Sequence, residues 1–111
     1  AQEAKDRGLV RSLHAPDELL PAARALAREI ADNTAPVSVA LTRQMLWRMQ
    51  GAAHPMAAHQ ADSRGVQFCG AKADAYEGIS SFLEKRAPVF SDSVTSGLPD
   101  IFPDWENPEF H

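Results

Sequence analysis

An aromatic and a cationic side chain lie three positions apart near the end of a segment with helical periodicity. Phe82 and Lys85 would be neighbours on one face of a helix. An aromatic plane beside an ammonium group suits a nucleotide, which offers a base that can stack and phosphates that carry negative charge. In the alternative interpretation Phe82 belongs to the core, while Lys85 and Arg86 favour the negative end of the helix dipole. Spacing alone favours this alternative.

Histidine, cysteine and serine side chains suggest other chemistry, and each has a structural interpretation. His54 and His59 are five positions apart and diverge on a helix, whereas paired metal ligands favour a spacing of four. His59, Asp62 and Ser63 include the residue types of a catalytic triad, but triads are assembled by the fold and are rarely so local. Nothing near Cys69 in sequence would activate its thiol, so we expect this side chain to pack. We therefore predict no metal site.

Two carboxylates, Glu77 and Glu84, are seven positions apart and could share a helical face. Without an apolar pocket around them, such a pair indicates a solvated surface rather than general acid–base catalysis. Asp74 and Glu77 also have the spacing of a capping box, which would explain Glu77 at a helix start. The glycines lack the spacing of a phosphate-binding loop.

These candidate residues lie on segments whose apolar periodicity predicts helices. Pro21 fits the first of them only within its first turn. The second is apolar around most of its circumference, which is typical of a helix buried between layers or at an interface. The four predicted helices span residues 17–33, 36–51, 55–69 and 74–86. The first seven residues resemble the last turns of an earlier helix that ends at Gly8 and precedes a short extended stretch.

The residues after the last predicted helix differ from the rest in composition. Residues 87–111 contain four of the eight prolines and four of the eight aromatic residues, and residues 91–111 carry five acids without a Lys or Arg. Proline prevents regular structure, while disordered segments are usually poor in aromatic residues. We expect an extended arm that Phe102 and Trp105 pin to a surface; the alternative is a frayed tail.

The composition of the 111 residues excludes several classes of protein. A hydrophobic content of 44% and a charged content of 23% are ordinary for a globular domain. The net charge of −4 comes from the acidic end, so the chain lacks the basic face that nucleic acid or an anionic membrane surface would require. No segment reaches the ~18 apolar residues of a membrane helix, and a lone cysteine cannot form an internal disulfide. With no signal peptide visible, we expect a cytoplasmic protein.

Two motifs resemble those of a known family. The first is A-x-E-A-x-x-x-G-L-V at residues 1–10, and the second is E-G-x-x-x-F-L-E-K-R-x-P-x-F at residues 77–90. Their order and spacing resemble the C-terminal third of the crotonase family, the enoyl-CoA hydratases and isomerases. The resemblance implies a mainly α chain that forms the C-terminal helical layer of the crotonase fold, with about four helices and an extended C-terminal arm, and without the ββα-spiral core.

The resemblance also implies an organisation and a function. Residues 1–13 would be the end of the core region, 14–90 a helical trimerisation domain and 91–111 an acidic arm. Members of the family act on acyl-CoA thioesters by stabilising an enolate in an oxyanion hole. Their catalytic residues lie upstream of the matched motifs, so none is placed here, and this segment alone is expected to be inactive.

The resemblance implies that this chain carries part of the binding site for coenzyme A. Lys85 and Phe82 match positions near the nucleotide end of coenzyme A, which belongs to the substrate, so no separate cofactor is expected. The expected partners are an acyl-CoA and further copies of the chain, in a homotrimer or a dimer of trimers. Hydration of 2-enoyl-CoA in fatty acid metabolism is the expected reaction because it is the most prevalent one. The alternative is a non-catalytic helical module for oligomerisation or interaction.

Overall fold

The chain forms a series of α-helices in a computed structural model, which describes residues 1–106 and 109. None of these residues forms a strand, so the mainly α class is confirmed. A 3-10 turn, Met49–Gly51, follows the third helix directly. The helices are α1 (Gln2–Asp6), α2 (Pro16–Asn33), α3 (Pro36–Arg48), α4 (Pro55–Gly70), α5 (Ala73–Glu84) and α6 (Val94–Gly97). They fall into two compact units, residues 1–33 and 34–111.

The first unit contains α1 and α2. Gly8 ends α1 with a φ of 75°, a conformation that favours glycine, and the amide of Leu9 donates to the carbonyl of Ala4 at 2.8 Å. Residues 9–11 after Gly8 form bends instead of the predicted extended segment, and residues 12–15 form no regular element. Pro21 lies inside α2, beyond its first turn, and the helix continues through it. None of the residues of α2 is buried.

The second unit is built around α3 and α4. Val37 and Leu41, one turn apart on α3, pack with Ala61 of α4 and with Ile101 in a small apolar core. The opposite side of α3 is uncovered, since Leu46 is 64% and Trp47 is 59% exposed. The prediction that this helix is buried on most sides is therefore met on one side only within this chain.

The segment after α5 supplies the most buried large side chain of the described residues. Ile101 is only 1% exposed, and its Cδ1 lies 3.7 Å from where a Cβ on Gly65 would stand. Phe102 packs beside it, and Trp105 lies near the guanidinium of Arg48. The predicted arm is therefore attached, but its principal anchor is Ile101, and α6 interrupts its extended course.

Candidate functional site

The end of α5 positions the two residues for which we predicted a ligand. Arg86 N–H donates to the carbonyl of Ser81 at 3.0 Å, and Lys85 N–H donates to that of Phe82 at 3.3 Å. This pair of hydrogen bonds is a Schellman ending, in which the residue after the helix adopts the left-handed conformation. Lys85 occupies that position with φ 55° and ψ 40°. Lys85 therefore lies just beyond the helix, which corrects the expectation that it shares a helical face with Phe82.

Both predicted binding residues face solvent. Phe82 is 82% exposed, so the alternative interpretation that placed it in the core is wrong for this chain. Lys85 is also exposed, and none of the carboxylates in the described part of the chain lies within ion-pair distance of its ammonium group. The exposed ring of Phe82 and the exposed ammonium group of Lys85 thus both lie at the C-terminal end of α5.

The neighbouring Arg86 forms ion pairs with both nearby glutamates, Glu77 and Glu84. Its guanidinium donates to the two carboxylate oxygens of Glu77 at 2.5 and 2.8 Å and, through Nε, to Glu84 Oε2 at 2.6 Å. The bidentate hydrogen bonds from Arg86, together with the one from the Val89 amide, lower the pKa of Glu77 to about 2. The hydrogen bonds to Glu77 and Glu84 raise the pKa of Arg86. The two glutamates therefore lie at the surface, as predicted, but they pair with Arg86, which the spacing did not indicate.

Acidic side chains of α5 also bind the backbone of the segment that follows it. Glu77 Oε1 accepts from the amide of Val89 at 2.7 Å, and Asp74 Oδ1 accepts from those of Ser91 and Asp92 at 2.7 and 3.0 Å. The N-cap of α5 is Lys72, which makes no side-chain capping hydrogen bond. The predicted capping box is therefore wrong, because Asp74 and Glu77 cap the returning chain instead of their own helix.

A groove with a volume of about 450 Å³ runs along α5. Phe82 lines it, whereas Lys85 lies outside the lining. Asp74 Oδ2 is buried, and it finds no hydrogen-bond partner in the part of the chain that the structure describes. The wall is mostly apolar, with Val37, Ile79, Phe82, Leu83 and Phe90 among its residues. Since the Asp74 and Glu77 carboxylates hold the returning backbone, the arrangement suits holding a ligand better than acid–base catalysis.

The other candidate residues have structural roles or remain apart. His54 caps α4, because its Nδ1 accepts from the amide of Met56 at 3.0 Å. Cys69 packs against the core, as predicted. His59, Asp62 and Ser63 are exposed on α4 and share no hydrogen bond. Within residues 1–106 and 109, no three His, Cys, Asp or Glu side chains are grouped so that they could hold a metal ion.

The residues that sequence reasoning missed are those that shape the end of α5. We define the Arg86 clasp as Arg86 with Glu77 and Glu84. It depends on the left-handed backbone of Lys85, a conformation that sequence analysis normally expects only at glycine. The available signal was the motif itself, which contains Glu77, Gly78, Arg86 and Phe90. Phe90 packs against Gly78, where an added Cβ would stand 3.9 Å from its ring.

None of the helices in the described residues has the length and apolar character needed to cross a membrane.

Comparisons with known proteins agree over most of the chain. A family model described as enoyl-CoA hydratase/isomerase matches residues 1–93. The enoyl-CoA hydratase AFT3-1 of Alternaria alternata is 37% identical over 83 residues, which cover 75% of this chain and 27% of that protein. A putative enoyl-CoA hydratase of Thermus thermophilus is 38% identical over 90 residues, covering 81% and 35%.

A solved structure is similar as well. A probable enoyl-CoA hydratase/isomerase from Mycobacterium abscessus superposes with a TM-score of 0.71 and 30% sequence identity, over 83% of this chain and 36% of that one. This chain spans about a quarter to a third of the length of the curated relatives.

Proposed function

The chain belongs to the enoyl-CoA hydratase/isomerase family, and from that premise we propose that it serves an enzyme that hydrates 2-enoyl-CoA thioesters. The structural similarity confirms the predicted fold class, the helical C-terminal part of the crotonase fold. The proposed chemistry is addition of water through an enolate that an oxyanion hole stabilises. Residues upstream of those matched here would supply that hole and the catalytic acids, and this chain would supply binding groups.

The end of α5 is the proposed contact with the nucleotide end of coenzyme A. Phe82 would offer its exposed ring to the adenine, and Lys85 its ammonium to a phosphate. The observation that carries this proposal is the sorting of charges there. Glu77 and Glu84 both pair with Arg86, so neither carboxylate is within ion-pair distance of the adjacent Lys85, whose exposed side chain lies close in sequence to an exposed aromatic ring.

Replacing Lys85 by alanine tests this contact. Lys85→Ala should weaken binding of coenzyme A by about tenfold, since hydrogen bonds to charged groups contribute roughly 1.5–3 kcal/mol. Isothermal titration calorimetry with coenzyme A gives the dissociation constant directly. Lys5→Ala is the matched control, because it removes one exposed positive charge from α1 and should leave the affinity unchanged. Equal affinities of the wild type and Lys85→Ala would refute the proposed contact.

A second candidate function, assembly without catalysis, has its own observation. Three helices present uncovered apolar side chains: Leu19, Leu20 and Ile30 on α2, Leu46 and Trp47 on α3, and Ile79, Phe82 and Leu83 on α5. Such faces are typical of interaction surfaces. A homotrimer would use them in either case, so only the presence or absence of coenzyme A binding separates the two functions.

A further inference from the structure

A second pocket lies in the second unit, and its lining shares no residue with the groove along α5. It has a volume of about 400 Å³, within the range of small-molecule sites. The end of α3, the 3-10 turn and the start of α4 form one side, and the arm closes the other. Phe102 and Trp105 contribute aromatic walls, and Arg48 and Arg64 contribute cations.

The arm holds one of these cations against its aromatic rings. The Cζ of Arg48 lies 4.6 Å from the ring centroid of Phe102 and 5.1 Å from that of Trp105. Stacking on two rings fixes the plane of the guanidinium while leaving its N–H donors at the edge. Arg48 is therefore preorganised to donate into the pocket.

The second cation is also largely unsatisfied. Arg64 Nη1 makes a long hydrogen bond of 3.4 Å to the carbonyl of Ile101, and its other donors have no partner in the part of the chain that the structure describes. Asp104 lines the same pocket, yet neither guanidinium has a carboxylate within 4 Å among residues 1–106 and 109. Two arginines thus border the pocket without a counter-ion within 4 Å in the described chain, and its other polar lining residues are His54, Gln60 and Asp104.

We propose that this pocket binds a small amphipathic carboxylate. The carboxylate would accept hydrogen bonds from Arg48 and Arg64, and the apolar body would lie against Trp105, Phe102 and Met49. A single negative charge matches the pocket better than the double charge of a phosphate, because Arg48 and Arg64 with Asp104 carry a net charge of one positive unit that a monoanion balances. In this pocket the arm has a function that is independent of coenzyme A and of the end of α5.

Titration calorimetry of the full chain with 4-phenylbutanoate tests the site. Binding should be saturable, and both Arg48→Gln and Arg64→Gln should weaken it by about tenfold. Arg43→Gln is the matched control, since Arg43 lies on the same helix and stacks on Trp47, 3.8 Å from its ring centroid, outside this pocket. If Arg48→Gln loosens the arm, its melting temperature will be lower than that of the wild type. The result with Arg64→Gln then decides whether the site exists, because Arg64 stacks on no ring in the described residues.

Two related probes separate the chemistry of the ligand. The neutral 4-phenylbutanol should bind at least tenfold more weakly than the carboxylate, and 4-phenylbutyl phosphate should also bind more weakly. Tighter binding of the phosphate would overturn the assignment to carboxylates. Absence of saturable binding, equal affinity for the alcohol, or equal losses in Arg48→Gln and Arg43→Gln would overturn the site itself.

Discussion

Lys85 adopts a backbone conformation that glycine would adopt at lower cost. An L-residue in the left-handed region raises the free energy of the folded state by roughly 1–2 kcal/mol. Glycine avoids part of this cost because it has no Cβ. Lys85→Gly should therefore raise the free energy of unfolding by about 0.5–1 kcal/mol, measured by urea denaturation. The same substitution should weaken coenzyme A binding as much as Lys85→Ala, since both remove the ammonium group.

Lys85→Ala is also the control for the stability effect. It keeps the Cβ and the strain, so its unfolding free energy should stay near that of the wild type. If Lys85→Gly were no more stable than Lys85→Ala, the left-handed backbone at this position would carry no cost. If Lys85→Gly is more stable than the wild type but binds coenzyme A more weakly, then the lysine contributes to binding and lowers the stability of the end of α5.

Phe82 and Lys85 stand out in the sequence, whereas the role of Glu77 does not. The spacing of Asp74 and Glu77 fits a capping box, and nothing local distinguishes it from a real one. The partner that decides the role of Glu77 is Arg86, nine positions later, and a left-handed turn at a lysine brings it back. Because a left-handed turn is normally predicted from a glycine, the ion pair between Arg86 and Glu77 could not be predicted from spacing.

At the scale of elements, the Arg86 clasp makes the attachment of α5 to its following segment sensitive to acid. Hydrogen bonds from Arg86 and from the Val89 amide lower the pKa of Glu77 from 4.5 to about 2. In the unfolded chain this carboxyl regains its ordinary pKa and takes up the proton first. The contribution to stability is therefore complete above pH 4.5 and is lost as the pH falls toward 2.

Urea denaturation across this pH range checks the effect. Glu77→Gln should be less stable than the wild type at pH 6, and the difference should shrink toward pH 2. Glu84→Gln is the control, since Glu84 accepts one hydrogen bond from the same arginine and no backbone amide in the described residues. A difference between Glu77→Gln and the wild type that does not vary with pH would contradict the role of the Glu77 charge.

The arm contributes to stability chiefly through one side chain. Ile101→Ala should destabilise the second unit by about 2–4 kcal/mol, because it empties a fully buried position between α3 and α4. Removing residues 91–111 should lower the melting temperature further. Leu98→Ala is the matched control on the same arm, where the side chain is 45% exposed and its truncation should cost less than about 1 kcal/mol. Equal melting temperatures for the wild type and Ile101→Ala would contradict this role.

The helices were predictable where local signals agree. Pro16, Pro36 and Pro55 each begin a helix, as proline favours the first turn, and apolar periodicity gives the lengths. Ile101 was not predictable in the same way. It is a single apolar residue in an acidic, proline-rich segment without periodicity, and only packing against α3 and α4 distinguishes it from the aromatic residues nearby.

For the whole molecule, the uncovered apolar faces predict association. At micromolar concentrations the chain should sediment as an oligomer, with a trimer as the expected species. Trp47→Glu should shift sedimentation velocity profiles toward the monomer, because it places a charge on the exposed face of α3. Gln67→Glu, at an exposed polar position of α4, is the control and should leave the profile unchanged. A monomeric wild type would contradict the proposed assembly.

The position of Ile101 also has a consequence for the order of events in folding. Val37 and Leu41 find a core partner more than half the chain away, so α3 and α4 cannot complete their packing during synthesis of the intervening residues. Contacts of such long sequence separation are slow to form. During that delay a nascent chain exposes the apolar side of α3, and chaperones or a neighbouring copy can engage it before the arm arrives.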